Sequence, residues 1–508
     1  MNAVKKEAIV IQERINNVIT EEMIAEWLPQ KPVVIKAQTG QGKTYWVAHN
    51  LYDYLKKNGA TCLYLIQRTR TKEQLLREFR GKESTLRLMT YQALESSVQH
   101  GQAVGSYDYI VADECHYFIS DGGFNNNTDI SFDWILGQDN AVKIFMSATV
   151  GAFYSYLFKK VLIAHAPITT PYDYGYIDHL TFFYDTEQLE TLAADVISKG
   201  KKAVFFIQSG KTAAELYKKF KNHMVFSCSR YNKEHKHLMD ENLINAIIED
   251  EKFDANILIT TTALDSGFTL KDNLLDTIVV DVVEPESVIQ CVGRKRPVNS
   301  EDHIDLFIRG RSNSDINRII HQMNGMIKTI IQKDTNELEY HIENERQNNI
   351  NGAIINVPVG CDSVGNLLYI KQRNEAKVTR LEYYALDLFP EMLKEPFGYD
   401  KYLARWFGFY DENTGIYLYQ TTSTKKESLI DYLDSMVGVD MLNAKARKPV
   451  IEKIGLKDYK GKLQRSLVSL NDYLASENLP YIIISRRKTK VIDGIRKDYS
   501  SVWTILKA

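Results

Sequence analysis

The chain has 508 residues, more than the roughly 250 to 300 residues at which a single hydrophobic core stops growing, so two to four domains are expected. Its hydrophobic content of 44% and charged content of 25% are ordinary for a globular protein, which excludes a chain dominated by disorder. The formal net charge of -2 conceals an asymmetry, because residues 441–508 carry 15 Lys and Arg against 6 Asp and Glu. A basic tail on an acidic body predicts a polyanionic partner, with a merely solvated basic surface as the alternative.

Cysteine usage and hydropathy exclude two further classes of protein. The five cysteines are scattered without a CxxC pair, so neither a zinc site nor a disulfide framework is expected. No segment approaches the ~18 to 20 apolar residues of a membrane span. We therefore expect a cytoplasmic protein with no membrane partner.

Along the chain, short apolar runs alternate with helical patterns in two successive blocks. The first block contains VVIKA at 33–37, CLYLI at 62–66, YIVAD at 109–113 and VKIFM at 142–146. After a linker-like segment at 166–179, the second contains AVFFI at 203–207, MVFS at 224–227, ILIT at 257–260, TIVVD at 277–281 and IDLFI at 304–308. This alternation predicts an α/β fold with two tandem parallel-sheet lobes, at residues 1–165 and 176–315.

Residues 316–508 are predicted to form an accessory region that is mostly helical and is basic from about residue 441. Near its end, Leu463, Leu467, Leu470 and Leu474 recur at a spacing that would line one helix face. The segment PYIIISRRKTKVI, a turn and SVWTIL follow. A helix followed by a basic hairpin is the outline of a winged-helix module, although other small α+β domains share it.

The segment AQTGQGKT, at 37–44, follows a predicted strand and precedes a predicted helix, as a phosphate-binding loop requires. Gly40 and Gly42 permit backbone angles that turn successive amides towards phosphates. Lys43 would neutralise the β and γ phosphates, and the Thr44 hydroxyl would bind Mg²⁺. We therefore expect ATP and Mg²⁺ as ligands. The predicted binding residues of the loop are Thr39, Gly40, Gln41, Gly42, Lys43 and Thr44.

The sequence DECH begins at Asp113, at the end of a predicted strand and about 70 residues after the loop. An acidic residue in this place can hold Mg²⁺ through water. The next carboxylate, Glu114, can orient or deprotonate the attacking water in a phosphoryl transfer. The alternative is a turn whose acids are simply solvated. The position of DECH after the phosphate-binding loop, at the end of a later strand, favours the catalytic interpretation.

In this order the motifs resemble those of superfamily-2 helicases of the DExH or DEAD-box type, which have two RecA-like lobes. AQTGQGKT matches the first motif of that family, where an initial Ala is usual. LIQRTRTKEQ resembles the next, and the resemblance places its Arg68 and Gln74 near nucleic acid. TYQAL resembles the motif after it, with Thr90 in the same role. SAT matches the motif that couples ATP hydrolysis to strand movement, through Ser147 and Thr149.

The resemblance continues in the second lobe, as far as about residue 310. TTALDSGF resembles the fifth motif, which implies a nucleic-acid contact for Thr261 and a nucleotide contact for Gly267. QCVGRKR resembles the sixth motif and implies a catalytic role for Gln290.

The sixth motif also implies an arginine finger that crosses between the lobes to stabilise charge on the transferring phosphoryl group. The family pattern is QxxGRxxR, but here Pro297 stands at the last arginine position and Arg296 precedes it by one residue. Arg294 and Arg296 therefore both stay candidates for the finger. By itself, GRKRP would be equally compatible with an exposed basic turn.

The predicted function is an ATP-dependent nucleic-acid helicase or translocase, with DNA favoured over RNA as the partner. Binding would be mainly to the phosphate backbone, and Arg486, Arg487 and Lys488 in the basic hairpin are further candidate contacts. The alternatives are an RNA helicase and a non-unwinding double-strand translocase of a defence or restriction assembly. Protein partners are expected to bind through the C-terminal region, if at all.

Overall fold

The computed structural model describes residues 9–10, 14–38, 40–67, 78–121, 125–228, 232, 234–261, 269–335, 354–361, 367–422, 429–456, 463–477, 479–492 and 495–507. The chain divides into two compact units. The first unit comprises Met1–His179, Leu189–Phe307 and Gly325–Tyr384. The second comprises Leu180–Gln188, Ile308–Asn324 and Ala385–Ala508.

The first lobe lies in the first unit and is built on one sheet whose described strand pairs are all parallel. Its strand order is β1-β7-β2-β6-β5-β3-β4. The strands are β1 (Ile9–Val10), β2 (Val33–Lys36), β3 (Cys62–Ile66), β4 (Leu86–Thr90), β5 (Tyr109–Asp113), β6 (Val142–Ser147) and β7 (Ile168–Thr169). The four apolar runs predicted for this lobe are therefore confirmed as strands.

Helices cover both faces of this sheet, as strands with few polar residues require. They are α1 (Ile15–Val18), α2 (Glu21–Ala25), α3 (Lys43–Trp46), α4 (Tyr52–Asn58), α5 (Tyr91–Gln99), α6 (Tyr117–Ser120), α7 (Thr128–Leu136) and α8 (Gly151–Lys160). A π-helical segment, Val47–Leu51, joins α3 to α4. Alternate strand residues enter different cores, because successive side chains point to opposite faces. Tyr64, for example, packs in one cluster and Leu63 in the other.

The second lobe, most of which lies in the first unit, contains a second parallel sheet whose first six strands have the order β10-β11-β9-β12-β13-β8. Its strands are β8 (Ile177–Phe183), β9 (Lys202–Ile207), β10 (Met224–Ser227), β11 (Ile257–Thr260), β12 (Leu275–Asp281) and β13 (Ile304–Arg309). Its helices are α9 (Glu187–Ser198), α10 (Gly210–Lys219), α11 (Glu241–Asp250) and α12 (Pro285–Val292). The prediction of two tandem parallel-sheet lobes is confirmed.

After the second lobe, α13 (Asn313–Thr335) is followed by an antiparallel hairpin of β14 (Ile354–Cys361) and β15 (Leu367–Arg373). The sequence had predicted a mostly helical region here and did not indicate this hairpin. The chain then forms α14 (Glu375–Glu382), which packs on the first lobe, where Ala376 is part of a core cluster. No helix among the described residues is long and apolar enough to cross a membrane.

The second unit contains short elements before a terminal module. They are α15 (Phe389–Met392), α16 (Gly398–Trp406), β16 (Tyr410–Asp411), β17 (Ile416–Tyr417) and β18 (Gln420–Thr421). Asp400, on α16, is fully buried and accepts hydrogen bonds from the Tyr184 hydroxyl at 2.6 Å and the Arg311 amide at 3.0 Å. Burial raises the pKa of Asp400 to about 7.

The terminal module has the element order of a winged helix. Its elements are α17 (Leu429–Met436), α18 (Ala444–Ile454), α19 (Leu467–Ser476), β19 (Tyr481–Ile492) and β20 (Ile495–Lys507). Between the first two helices, Met441 forms an antiparallel bridge with Trp503, which adds a short third strand to the hairpin. Leu470 and Leu474 are buried in the core, as the leucine spacing predicted. The predicted helix and hairpin are therefore both present.

Candidate active site

The phosphate-binding loop has the backbone geometry that its glycines permit. Gly40 has φ +96° and Gly42 has φ +84°, conformations that side-chain-bearing residues rarely adopt. Gly42 is the N-cap of α3, so the first free amides of the helix face the loop. The buried Lys43 ammonium donates a hydrogen bond to the Ala37 carbonyl at 2.9 Å. The loop therefore presents amides and one lysine to a common space.

The first acid of DECH is buried and oriented by its neighbours. Asp113 ends β5 and accepts hydrogen bonds from the Tyr64 hydroxyl at 2.7 Å and from the Glu114 amide at 3.0 Å. Burial, reinforced by the negative charge of Glu114, raises the pKa of Asp113 to about 6. A cation bound nearby would stabilise the ionised form of Asp113 and lower its pKa.

The second acid occupies a strained backbone conformation next to the loop lysine. Glu114 has φ +49°, and its Oε1 lies 3.8 Å from Lys43 Nζ. Burial would raise the pKa of Glu114, but the charges of Lys43, His116 and Arg294 outweigh it and hold this pKa below its usual value. Glu114 is therefore ionised at neutral pH. Such a strained conformation persists only where the surrounding structure enforces it, and residues of this kind are frequent at functional sites.

A chain of contacts links the acids to the second lobe through the SAT motif. His116 Nδ1 lies 3.3 Å from Glu114 Oε2 and shares a 2.9 Å hydrogen bond with Ser147 Oγ. Ser147 Oγ accepts from the Thr149 amide at 3.1 Å, and the Thr149 hydroxyl accepts from Gln290 Nε2 at 2.9 Å. Both residues predicted for coupling therefore lie on a path between DECH and the sixth motif.

The two candidate arginines lie on the same side of a locally extended loop. Lys295 forms a bridge with Leu270, and hydrogen bonds of 2.8 Å on either side hold Arg294 and Arg296 in register. In extended backbone, side chains alternate, so Lys295 points the opposite way from its neighbours. Lys295 is buried, where it forms a 2.6 Å ion pair with Asp302. Arg294 and Arg296 are both half-buried.

Arg296 approaches the phosphate-binding loop directly. A Cβ added to Gly40 would lie only 2.5 Å from Arg296 Nη1, so the guanidinium lies against the loop backbone. Burial lowers the pKa of Arg296 to about 10, and the charge of Arg294 acts in the same direction. The charge of the neighbouring Arg294 helps to lower the pKa of Glu114, and the charge of Glu114 in turn favours the charged form of Arg296. Both arginines therefore lie close enough to Glu114 to act on the same carboxylate.

The donor set fits the Mg²⁺ expected from the sequence. The Thr44 hydroxyl and the Asp113 carboxylate both contact the Tyr64 hydroxyl, so the two predicted ligands lie close together. A hydroxyl and a carboxylate, completed by phosphate oxygens and water, form the oxygen-only environment that Mg²⁺ prefers. Among the described residues no cluster of three or more His, Cys, Asp or Glu exists to form a protein-only metal site.

The predicted nucleic-acid residues of the lobes are only partly described. Arg68 and Gln74, and the nucleotide-binding candidates Thr39 and Gly267, lie outside the described residues. Thr90 is the N-cap of α5, where its hydroxyl accepts from the Ala93 amide at 3.1 Å. Thr261 is buried, and its amide donates to the Ser227 carbonyl at 3.2 Å. Their roles in binding nucleic acid remain predictions.

In the second unit, the hairpin of β19 and β20 stands where a winged helix has its wing, and we call it the wing. The three basic residues predicted to bind nucleic acid there differ in exposure. The register of β19 against β20 shifts between Arg486 and Lys488, so an extra residue is accommodated there. The extra residue is in β20, where Ser500 and Ser501 together face Arg487. Arg486 and Arg487 are both exposed. Lys488 forms a 2.7 Å ion pair with Asp440. Two of the three cations are therefore directed to solvent.

Three residues near the site were not predicted from the sequence. Tyr64 fixes Asp113 but lies in an ordinary apolar strand, where nothing marks it. Lys295 stands between two arginines and looks like part of the same basic turn. Glu286 Oε1 accepts the Gly151 amide at 2.9 Å, so an acid on α12 caps the helix that follows SAT. The two acids Glu284 and Glu286, just before the sixth motif, were the sequence feature that could have indicated this contact.

Comparisons with known proteins bear on the first lobe and on the fold. The family model "Type III restriction enzyme, res subunit" matches residues 10–87. A search of curated protein sequences found no match.

Solved structures that resemble the chain include helicases at low sequence identity. A variant of S. cerevisiae Dbp5 bound to RNA and ADP BeF3 has 15% identity and a TM-score of 0.44, covering 59% of this chain and 84% of that one. A deletion form of Mss116p bound to ssRNA and AMP-PNP has 13% identity and a TM-score of 0.42, covering 66% and 90%.

Two parallel sheets, a phosphate-binding loop after β2, and acids at the end of β5, which is separated from β2 by β6, form the architecture of a two-lobed RecA-like fold. The ordered motifs resemble those of superfamily-2 helicases of the DExH or DEAD-box type, and the matched family model covers part of the first lobe.

Proposed function

We propose that this protein hydrolyses ATP at the site formed by Lys43, Asp113, Glu114 and the two motif-six arginines, and that hydrolysis drives movement along DNA. The observation that carries the proposal is the approach of Arg296 to Gly40. It brings a cation of the second lobe to the loop that would hold the phosphates. Charge from both lobes at one point is what an in-line phosphoryl transfer needs.

The residues divide the work of hydrolysis. Lys43 exchanges its contact with the Ala37 carbonyl for the β and γ phosphates, and Glu114, kept ionised, orients the attacking water and accepts its proton. Arg296 stabilises the charge that develops on the transferring group. Bound through Thr44 and Asp113, Mg²⁺ would neutralise phosphate charge.

Hydrolysis is coupled to strand movement through the contacts of SAT. Loss of the γ phosphate removes the charge that holds Arg296, and Gln290 can then leave Thr149. The lobes would alternate their grip on one strand as this contact forms and breaks.

ATP turnover by the purified protein tests the enzymatic part. Lys43→Ala and Glu114→Gln should each reduce kcat by at least about 10²-fold, since each removes a charge that acts in the transition state. Lys57→Ala is the matched control, because Lys57 is 67% exposed and pairs only with surface Glu21 in the described structure. A Lys43→Ala variant with wild-type turnover would refute the proposal.

DNA is proposed as the track for two reasons. The matched family model is named for a restriction enzyme subunit, and the C-terminal module has winged-helix order with two exposed arginines on its wing. Matched DNA and RNA oligomers should stimulate ATP turnover unequally, with DNA the stronger. Equal or RNA-only stimulation would exclude DNA as the preferred track.

The wing should bind phosphates without reading sequence. Replacing Arg486 and Arg487 by Ala should weaken DNA binding and reduce the slope of log K against log salt by about 1.8, because each phosphate contact contributes about 0.9 on duplex DNA. A slope equal to that of the wild type would exclude the wing as a contact. A strand-displacement assay distinguishes unwinding from translocation on intact duplex, since a translocase hydrolyses ATP without displacing the strand.

A further inference from the structure

Helix α14 lies far along the chain from every motif, yet it packs beside the ATPase site. Its N-terminus is held by Asp129 of α7, whose carboxylate accepts the amides of Glu375 at 2.9 Å and Ala376 at 3.1 Å. A carboxylate at a helix N-terminus gains from both hydrogen bonding and the helix dipole. Lys377 also donates to Asn126 at 2.7 Å. These contacts attach α14 firmly to the first lobe.

One residue of α14 reaches the second lobe. Arg380 forms a 2.5 Å ion pair with Glu284, the residue that precedes α12. The side chain of Glu284 is 12% exposed and that of Arg380 is 28% exposed. Removing one partner of such a largely desolvated pair leaves the other charge poorly compensated. The pair therefore favours the arrangement in which α14, the first lobe and α12 are together.

Helix α12 is the element that carries the sixth motif. Gln290, which contacts Thr149, is on this helix, and Arg294 and Arg296 follow directly after it. Glu286, on its first turn, caps Gly151 of the first lobe. Three separate contacts therefore hold α12 against the first lobe, and the contact through Arg380 is the one of these three that a segment beyond the second lobe supplies.

We propose that Arg380 is a positioning residue of the ATPase, which aligns α12 and its arginines through Glu284. This inference rests on the proposed function for its kinetic consequence. Arg380 contacts neither the loop nor the acids in any described contact, so its loss should leave ATP binding to Lys43 intact. It should instead lower the fraction of molecules in which the arginines are aligned.

The test compares two substitutions on the same helix. Arg380→Gln should lower kcat about 10- to 100-fold while the KM for ATP changes less than about threefold, as expected when only the competent fraction falls. Glu382→Gln is the matched control, because Glu382 pairs with Lys159 of the first lobe and not with the second in the described contacts. It should leave both constants near wild type. The charge-reversed pair Arg380→Glu with Glu284→Arg should recover most of the lost kcat.

Hydrogen exchange supplies a readout that does not depend on turnover. With a non-hydrolysable ATP analogue, residues 285–292 should exchange faster in Arg380→Gln than in wild type or Glu382→Gln. Wild-type kcat and wild-type exchange in Arg380→Gln would overturn the proposal for α14. Turnover that survives Lys43→Ala would instead refute the proposed function, and the exchange result would still decide the role of Arg380.

Discussion

The buried ion pair between Lys295 and Asp302 offers a sharp test of how the arginine loop is held. The two side chains are 0% and 1% exposed, and their charged atoms are 2.6 Å apart. Lys295 also donates to the Asp272 carbonyl at 2.7 Å. With Lys295→Met, the hydrogen bond from the Val298 amide, at 2.9 Å, would be the one that remains to the Asp302 carboxylate within the described residues. We expect the second lobe to lose about 3 to 5 kcal/mol of stability, the usual cost of leaving one buried charge unpaired.

A double-mutant cycle with Asp302 distinguishes the loss of the ion pair from the loss of side-chain packing. In the double variant Lys295→Met with Asp302→Leu, no buried charge remains, so the loss should be much smaller than the sum of the single losses. Hydrogen exchange of peptides from residues 269–309 measures the local opening free energy directly. This local readout is preferable to a global melting curve, because a protein with several domains need not unfold in two states.

Turnover should respond as well, because the extended loop sets the direction of its arginines. Without the lysine anchor, Arg294 and Arg296 are no longer fixed on one side, and kcat should fall at least about tenfold, since small misplacements of catalytic groups are costly. A loss of less than about 1 kcal/mol in Lys295→Met would refute the reasoning. It would mean that the bridge to Leu270 alone holds the loop.

Four further outcomes follow from the geometry. Arg296→Ala should lower kcat by about 10³-fold in steady-state ATPase assays, and a larger effect of Arg294→Ala would transfer the finger to that residue. Gly40→Ala should place a methyl group 2.5 Å from Arg296 Nη1 at φ +96°, so kcat should fall sharply even if fluorescent ATP still binds. Gln290→Ala should reduce DNA-strand displacement more than ATP turnover, measured on the same samples, because it breaks the 2.9 Å contact between the lobes. The raised pKa of Asp400, about 7, means that the folded protein keeps a proton which the unfolded chain releases nearer pH 4, so its contribution to stability falls as pH rises between these values. Asp400→Asn should remove that loss, up to about 4 kcal/mol, and flatten the dependence of unfolding on pH.

Much of the fold was predictable because its signals are local. Every apolar run assigned to the two sheets is a strand, since a strand buried on both faces needs continuous apolar sequence. The phosphate-binding loop was also predictable from local sequence, because only glycine easily adopts the backbone angles found at Gly40 and Gly42. The winged-helix order was also visible, because leucines at helical spacing and a basic hairpin are short-range patterns.

The arrangement of the arginines could not be predicted in this way. The motif places Arg296 one residue early, and only the bridge between Leu270 and Lys295 shows that the backbone there is extended. That bridge joins segments 25 positions apart, so no local pattern indicates it. The role of α14 was equally hidden, because its partners Asp129 and Glu284 are distant in sequence and are ordinary acids.

The contacts that join the lobes are suited to repeated breaking. Gln290 donates to Thr149, Glu286 accepts from Gly151, and both sites can exchange these bonds for water if the lobes separate. A hydrogen bond between neutral groups contributes only about 0.5 to 1.5 kcal/mol net for this reason, and one to a charged group about 1.5 to 3 kcal/mol. The arrangement seen here is therefore favoured by a few kcal/mol at most. A ligand can shift an equilibrium only by its differential affinity for the two states. The γ phosphate of ATP would contact Arg296 only when the lobes are together, so ATP would bind more tightly to this arrangement than to separated lobes. Hydrolysis removes the γ phosphate and with it this difference in affinity.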